Sequence, residues 1–406
     1  MAKLTKKRIA YLTGEYPKVS HTFIQREVAE LRALGLEVST CTVRRPPLDT
    51  IVGEDQNNEA KNTFCILENA RAPHRVLMVH LNILARQPKH WFAALALAWK
   101  TRAPGAKNNL YQLFYFLEAG ILAHFLIRQK VEHLHDHFGS SSCTVVMLAS
   151  KMINIPFSFT IHGPDIFYEP RRWAIDEKIA QAHFAVCISK FCRSQAMLFS
   201  HQKYWNKLKI VHCGVELERY SRARQKVPSR AVLFVGRLAA IKGVSILLDA
   251  FREVVTVYPD AILTLIGDGP ERAALEAQVD DLGISHAVNF IGYRDQESVA
   301  EYLAQSSVLV LPSFAEGVPV VLMEALASSI PVIATQVAGV SELVKHGENG
   351  FIVPPSDTNL LAKRLEEVIS DPVLSKKMGE EGRNFVEAEF NIKRQAEVLF
   401  GLLTEG

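Results

Sequence analysis

The chain has 406 residues, 48% of them apolar and 22% charged, and a formal net charge of +3. These proportions exclude a disordered chain, and the length suffices for two domains with cores of their own. Its six cysteines include no C-x-x-C pair, which argues for reduced structural thiols in the cytoplasm rather than zinc or disulfides.

The opening MAKLTKKRIAYL has a basic start but only a short apolar run before Gly14 and Glu15, so no signal peptide is expected. RIAYLT reads as a strand. YPKVSHTFIQREV should then enter a helix with Thr22 and Gln25 in capping-box spacing, leaving Lys18, Ser20 and His21 on a ligand-facing loop. LEVSTCTV is the next strand.

Residues 69–117 hold seven Lys or Arg and no acid, interleaved with Trp91, Phe92, Trp99, Tyr111, Phe114, Tyr115 and Phe116. Cations among aromatics on helices suit peripheral contact with an anionic membrane, where each nearby Lys or Arg contributes about 1 kcal/mol. The plainer reading is a helical subdomain with a solvated basic rim. No nucleic-acid-binding motif accompanies the charge, and no nucleic-acid partner is expected. WFAALALAW and YQLFYFLEAGILAHFLI are the most apolar windows; neither reads as a membrane span, and the second carries Glu118 at its middle.

HLHDHF, at 133–138, places His133, His135 and His137 on one face of a strand. Imidazoles alone do not close a metal site, so no metal is expected there. IPFSFTIHGPD ends the next strand with His162, followed by Gly163, Pro164 and Asp165. A lone histidine is more often structural, but the carboxyl end of a strand is where function concentrates in such sheets. HFAVCIS and KIVHCG read as further strands, and the polar stretch 218–230 as a linker.

From residue 228 onward AVLFVG, AILTLIG, AVNFIG, VLVLPS, PVIAT and FIV alternate with amphipathic segments. The fold class is therefore α/β, with two Rossmann-like domains whose parallel sheets face an inter-domain cleft. In the second domain the loop GRLAAIKG offers Gly236 for close backbone approach, and Arg237 and Lys242 as cations beside a helix start at Gly243. Cations with backbone N–H groups suit a phosphate or pyrophosphate, surface solvation being the alternative.

FAEGVPVVLMEALA, at 314–327, has only Glu316 and Glu324 as charged residues. Its Pro319 should open a buried helix. An unpaired buried carboxylate is costly, so the two acids either face a polar ligand or serve as a helix cap and a salt bridge. G-x-G-x-x-G, G-x-x-x-x-G-K-[ST], G-x-S-x-G and D-x-D are all missing, which disfavours a nicotinamide enzyme and a serine hydrolase. Charge on a departing phosphate would fall to Arg237, Lys242 and a helix N-terminus.

As a set, EGVPVVLME, VGRLAAIKG, HGPD and HCGVELERY resemble the retaining GT-B glycosyltransferases of the group 4 family, across nearly the whole chain. The opening YPKVSHTFIQREVAELRALGLEV is similar to a subgroup of exopolysaccharide and colanic-acid-type transferases. Where the family's first loop commonly has a Gly-Gly pair, this chain has Val19 and Ser20.

That resemblance implies a nucleotide diphosphate-sugar donor and a lipid-linked or glycan acceptor, with neither cofactor nor metal. It implies that Glu324 binds ribose hydroxyls and Glu316 the donor sugar, while Gly236 and Gly317, Val318, Pro319 and Val320 line the donor. Arg237 and Lys242 would stabilise the diphosphate and His162 would touch the transferring sugar. Lys18, Ser20, His21 and Asp165 are left as cleft or acceptor positions. The implied domains are 1–222 with a returning helix at 388–406, and 228–387. The implied location is cytoplasmic, peripheral at the inner face of the cytoplasmic membrane. The alternatives are an epimerase or phosphorylase of the same fold, or a non-catalytic nucleotide-sugar-binding protein. The combined donor-side residues weigh against the last of these.

Overall fold

The computed structural model describes residues 7–18, 21–47, 51, 53–163, 165–220 and 230–405. It divides into two units, Met1–His212 with Ala396–Gly406 and Cys213–Gln395.

The first unit holds strands β1 (Arg8–Glu15), β2 (Glu37–Arg44), β3 (Phe64–Cys65), β4 (His133–His137), β5 (Phe157–Ile161), β6 (Phe184–Cys187) and β7 (Leu208–Ile210). They form one parallel sheet in the order β3-β2-β1-β4-β5-β6-β7. The central strands are buried on both faces; β6 is a continuous apolar run, whereas β4 and β5 carry buried polar side chains that pair with one another. The order reverses between β1 and β4, the switch point at which sheets of this kind bind ligands.

The basic segment forms helices Pro73–Arg86, Pro88–Lys100 and the start of Ala106–Gln129; the first two open on Pro, whose missing N–H is no loss in a first turn. Helix Ala106–Gln129 is long and apolar enough to cross a membrane by length and composition. Phe116, Ala119, Ile121, Leu122, Ala123 and Leu126 are nevertheless buried within the protein, so the helix serves the core. The capping box expected at Thr22 and Gln25 does not form. Helix Thr22–Ala33 starts after His21 with no side-chain cap, and the Gln25 side-chain carbonyl accepts instead from Gln56.

Helix Ile392–Thr404 supplies Leu399 and Leu403 to the first unit's core beside Ile9, Val28, Leu31, Phe184 and Val186. Burying each leucine contributes about 1.5–3 kcal/mol. This return begins at residue 396 rather than 388.

The second unit contains β8 (Ala231–Val235), β9 (Ile262–Ile266), β10 (Val288–Gly292), β11 (Val308–Leu311), β12 (Val332–Thr335) and β13 (Gly350–Val353). Their order is β10-β9-β8-β11-β12-β13, all parallel, with the reversal between β8 and β11. This unit starts at residue 213, earlier than the sequence suggests. Val215 bridges to Asn391, and a Cβ on Gly214 would lie 2.3 Å from the Ile392 Cα. Part of the expected linker is packed too: Tyr220 is buried and its carbonyl accepts from Arg383. Residues 221–229 of that stretch lie outside the described residues.

Candidate functional site

In the second unit the loops that leave β8 and β11 meet where the strand order reverses. Gly243, between the turn Ala240–Lys242 and helix Val244–Val257, has φ +65°, and a Cβ there would lie 2.2 Å from the Pro312 carbonyl oxygen. Only glycine combines that backbone with that approach. The Phe314 N–H donates to the Ile241 carbonyl at 2.8 Å, and the loops are held so that Lys242 Nζ donates to Glu316 Oε1 at 2.5 Å. This pair is largely shielded, the side chains being 24% and 11% exposed. Arg237 is exposed and has no ion-pair partner among the described residues.

The two cations that look alike in GRLAAIKG are thus different: Glu316 holds Lys242, and Arg237 stands open. Gly236 is itself closely approached from within the unit, by Gly267. The Gly236 N–H donates to Ile266 O, while a Cβ on Gly267, at φ +131°, would come within 1.9 Å of the Gly236 carbonyl oxygen.

Pro319 caps helix Val320–Ala327 from an extended conformation, one position outside the helix it was expected to begin, with no side-chain cap. The Gly317 carbonyl accepts from the Gly339 N–H, and Val318 is buried. Glu324 lies within the helix and is buried. Glu316 therefore supplies the salt bridge that the plainer reading of the two acids allowed, and it does so at the mouth of the β8 loop.

In the first unit His162 follows β5. Its Nε2 lies 2.7 Å from His137 Nδ1, and the two rings are within 22° of coplanar. Phe23 and Phe138 flank the His162 ring, with centroids 4.6 and 5.0 Å away. Burial, with His137 and His21 nearby, holds His162 well below the ordinary histidine range. Burial likewise pulls His21 down to about 4. Lys18 pairs with Glu15 at 2.8 Å, and His21 Nδ1 contacts the Glu15 carbonyl at 3.0 Å. Ser20 lies outside the described residues, and Asp165 opens the short helix Asp165–Tyr168.

The alternating histidines of β4 are all buried. His133 bonds Ser158, and His135 contacts Ser158 and Thr160 on β5 through its two nitrogens, at 2.7 and 2.9 Å. Glu27 supplies the acidic neighbour not visible beside this strand in the sequence: donor atoms of Glu27, His135 and His137 lie within 4.8 Å of one another. Both His135 nitrogens are already committed to hydroxyls, so the cluster works as a hydrogen-bond network, and a metal would have to break part of it. All six cysteines are free thiols, five of them buried.

Residues 219–385, nearly all of the second unit, match the family described as "Glycosyl transferases group 1". An uncharacterized glycosyltransferase of Methanocaldococcus jannaschii is 30% identical over 262 residues, covering 63% of this chain and 71% of its own. The chain belongs to the group 1 glycosyl transferases. An amylovoran biosynthesis glycosyltransferase of Erwinia amylovora is 26% identical along 95% of this chain and 96% of its own. The fold agrees: Anabaena HepE, solved in complex with UDP, superposes with a TM-score of 0.75 over 98% of this chain and 100% of its own at 17% identity. The architecture of this glycosyltransferase is accordingly GT-B, two parallel-sheet Rossmann-like domains.

Its sequence pointed to Arg237, Lys242, Glu316, Glu324 and His162. Glu27 and His137 were not assigned to the site, although the period-two histidines of HLHDHF gave a signal for His137. Glu27 reaches the cluster only through the packing of helix Thr22–Ala33.

Proposed function

We propose that this glycosyltransferase moves a sugar from a nucleoside diphosphate donor to a lipid-linked or polysaccharide acceptor in cell-surface glycan synthesis, retaining the anomeric configuration. The carrying observation is the Lys242–Glu316 pair beside the open Arg237, on the two loops where the second unit's strand order reverses. Arg237 and Lys242 take the diphosphate, the donor sugar's hydroxyls engage Glu316, and Glu324 binds ribose. Backbone groups of Gly236 and of Gly317 to Val320 line the donor, and His162 meets the transferring sugar. In the reaction the bond from the anomeric carbon to the phosphate oxygen breaks, and a bond to the acceptor oxygen forms on the same face. The acceptor's hydroxyl proton passes to the departing phosphate, whose charge the two cations stabilise without a metal.

The UDP bound by the Anabaena relative supports a nucleotide donor, and the amylovoran enzyme's name supports a polysaccharide pathway. We place the protein at the inner face of the cytoplasmic membrane. Leu77, Met78, Phe92, Trp99, Leu113 and Phe114 are exposed on helices that also carry exposed Arg75, Arg86, Lys89 and Lys107, with exposed Arg71 just ahead of the first. Apolar and cationic groups on one set of helices match an anionic bilayer surface. Lys100 is excepted, since Glu177 pairs with it at 2.6 Å.

Calorimetric titration with UDP, GDP and ADP tests the donor reading. One diphosphate should bind, and Lys242→Ala should weaken it about tenfold or more. If the wild type bound none of the three, the assignment of this site would be wrong.

A further inference from the structure

Helix Thr22–Ala33 and strand β4 bring three side chains into a line toward His162. Glu27 Oε1 lies 3.3 Å from His137 Nε2, and His137 Nδ1 lies 2.7 Å from His162 Nε2. His137 is wholly buried, and its Nε2 makes no well-aligned hydrogen bond, the Glu27 carboxylate oxygen lying beside it. Tyr11 Oη donates to the same Glu27 oxygen at 2.8 Å, which anchors the carboxylate, and the Tyr11 ring sits 5.5 Å from that of His137.

The protons along this line are coupled. One proton lies between His137 Nδ1 and His162 Nε2, and either ring could carry it. A lone pair on His137 Nε2 would be repelled by the carboxylate oxygen 3.3 Å away, whereas an N–H there is attracted even off the ideal line. With the proton on Nε2, neutral His137 must accept at Nδ1, and His162 must then donate from its Nε2. We propose that Glu27 and His137 are positioning residues that hold His162 as its neutral Nε2–H tautomer, making its Nδ1 an acceptor suited to a sugar hydroxyl and not an acid. The flanking Phe23 and Phe138 rings keep the imidazole from turning out of that plane. The role at the sugar rests on the transferase reading above; the tautomer does not.

The test uses the full-length protein labelled with 15N-histidine, His162 being assigned by loss of its signals in His162→Gln. Long-range proton–nitrogen spectra should show His137 and His162 both protonated at Nε2. A proton on Nδ1 of either ring would overturn the proposal. His137→Asn keeps an acceptor close to the Nδ1 position, whereas His137→Leu removes it. His137→Asn should therefore preserve the His162 tautomer and hold kcat within about threefold, while His137→Leu mixes the tautomers and lowers kcat roughly tenfold to hundredfold with little change in donor KM. Wild-type kcat in His137→Leu would also overturn it. If His137→Leu does not fold, the wild-type and His137→Asn spectra still decide. If the wild type transfers no sugar at all, the functional reading fails while the spectra still decide the tautomer.

Discussion

Lys242 and Glu316 stand 74 positions apart in the chain and meet at 2.5 Å at the strand-order reversal of the second unit. The contact keeps a cation and an acid partly out of water before any substrate arrives, so neither has to be ordered when a diphosphate sugar binds. Removing Lys242 also leaves Glu316 a largely shielded, uncompensated charge. Lys242→Ala should lower kcat about hundredfold, and Glu316→Gln by a similar factor. The double variant should be scarcely worse than the worse single one, because each loss breaks the same unit. Independent, multiplying losses in a double-mutant cycle would contradict this.

Gly243 gives a prediction of a different kind, since its side chain would touch no substrate. At φ +65°, with Pro312 O 2.2 Å from an added Cβ, alanine must push the β8 and β11 loops apart. Gly243→Ala should cost about 2 kcal/mol or more in denaturant unfolding and weaken diphosphate binding in parallel. Unchanged stability would show that the loops are not locked together there.

Glu118 titrates in an unusual range because burial pushes its carboxyl up to about 7, against the opposing influence of Arg44. In the unfolded chain it titrates near 4.5, so the folded state holds the proton more tightly. This contribution to stability is full below pH 4.5 and is lost as pH rises to about 7, amounting to up to about 3 kcal/mol. The buried histidines of the same unit act oppositely: burial lowers His135 and His137 to about 3, so acid favours unfolding. The readout is therefore the difference between Glu118→Gln and wild type, which should grow in favour of the variant from pH 5 to pH 7. Parallel stability curves would rule the shift out.

The apolar and basic helices of the first unit should bind vesicles containing phosphatidylglycerol and not purely phosphatidylcholine ones. Exchanging exposed Phe92 and Trp99 for serine should reduce co-flotation several-fold without altering the melting temperature, and raised salt should weaken it further. Equal flotation with neutral and anionic vesicles would remove the electrostatic part of this reading.

Where the fold follows from local spacing, one sequence sufficed. Strands such as RIAYLT and VLVLPS are buried along most of their length and therefore read as apolar runs, and the loops just after such strands hold the candidate site residues. What depended on packing between distant segments was not legible. Nothing near Lys242 announces that Glu316 neutralises it, and the need for glycine at 267 arises from a carbonyl 31 residues away, at Gly236. The Thr22–Gln25 spacing failed for the same reason, because Gln56, from another helix, bonds the Gln25 side chain. HLHDHF showed its histidines but not their purpose, since Glu27, Ser158, Thr160 and His162 reach them only in the folded sheet.

The measurement that bears most directly on sugar transfer is nucleotide release from a panel of UDP-, GDP- and ADP-sugars, with and without extracted membrane lipid. One donor should release its nucleotide only when the lipid extract is present, and Arg237→Ala should abolish most of that turnover while donor affinity changes modestly. Tight binding of a nucleoside diphosphate with no release from any donor, under lipid or soluble glycan, would contradict the transferase account and favour a binding protein built on the same fold.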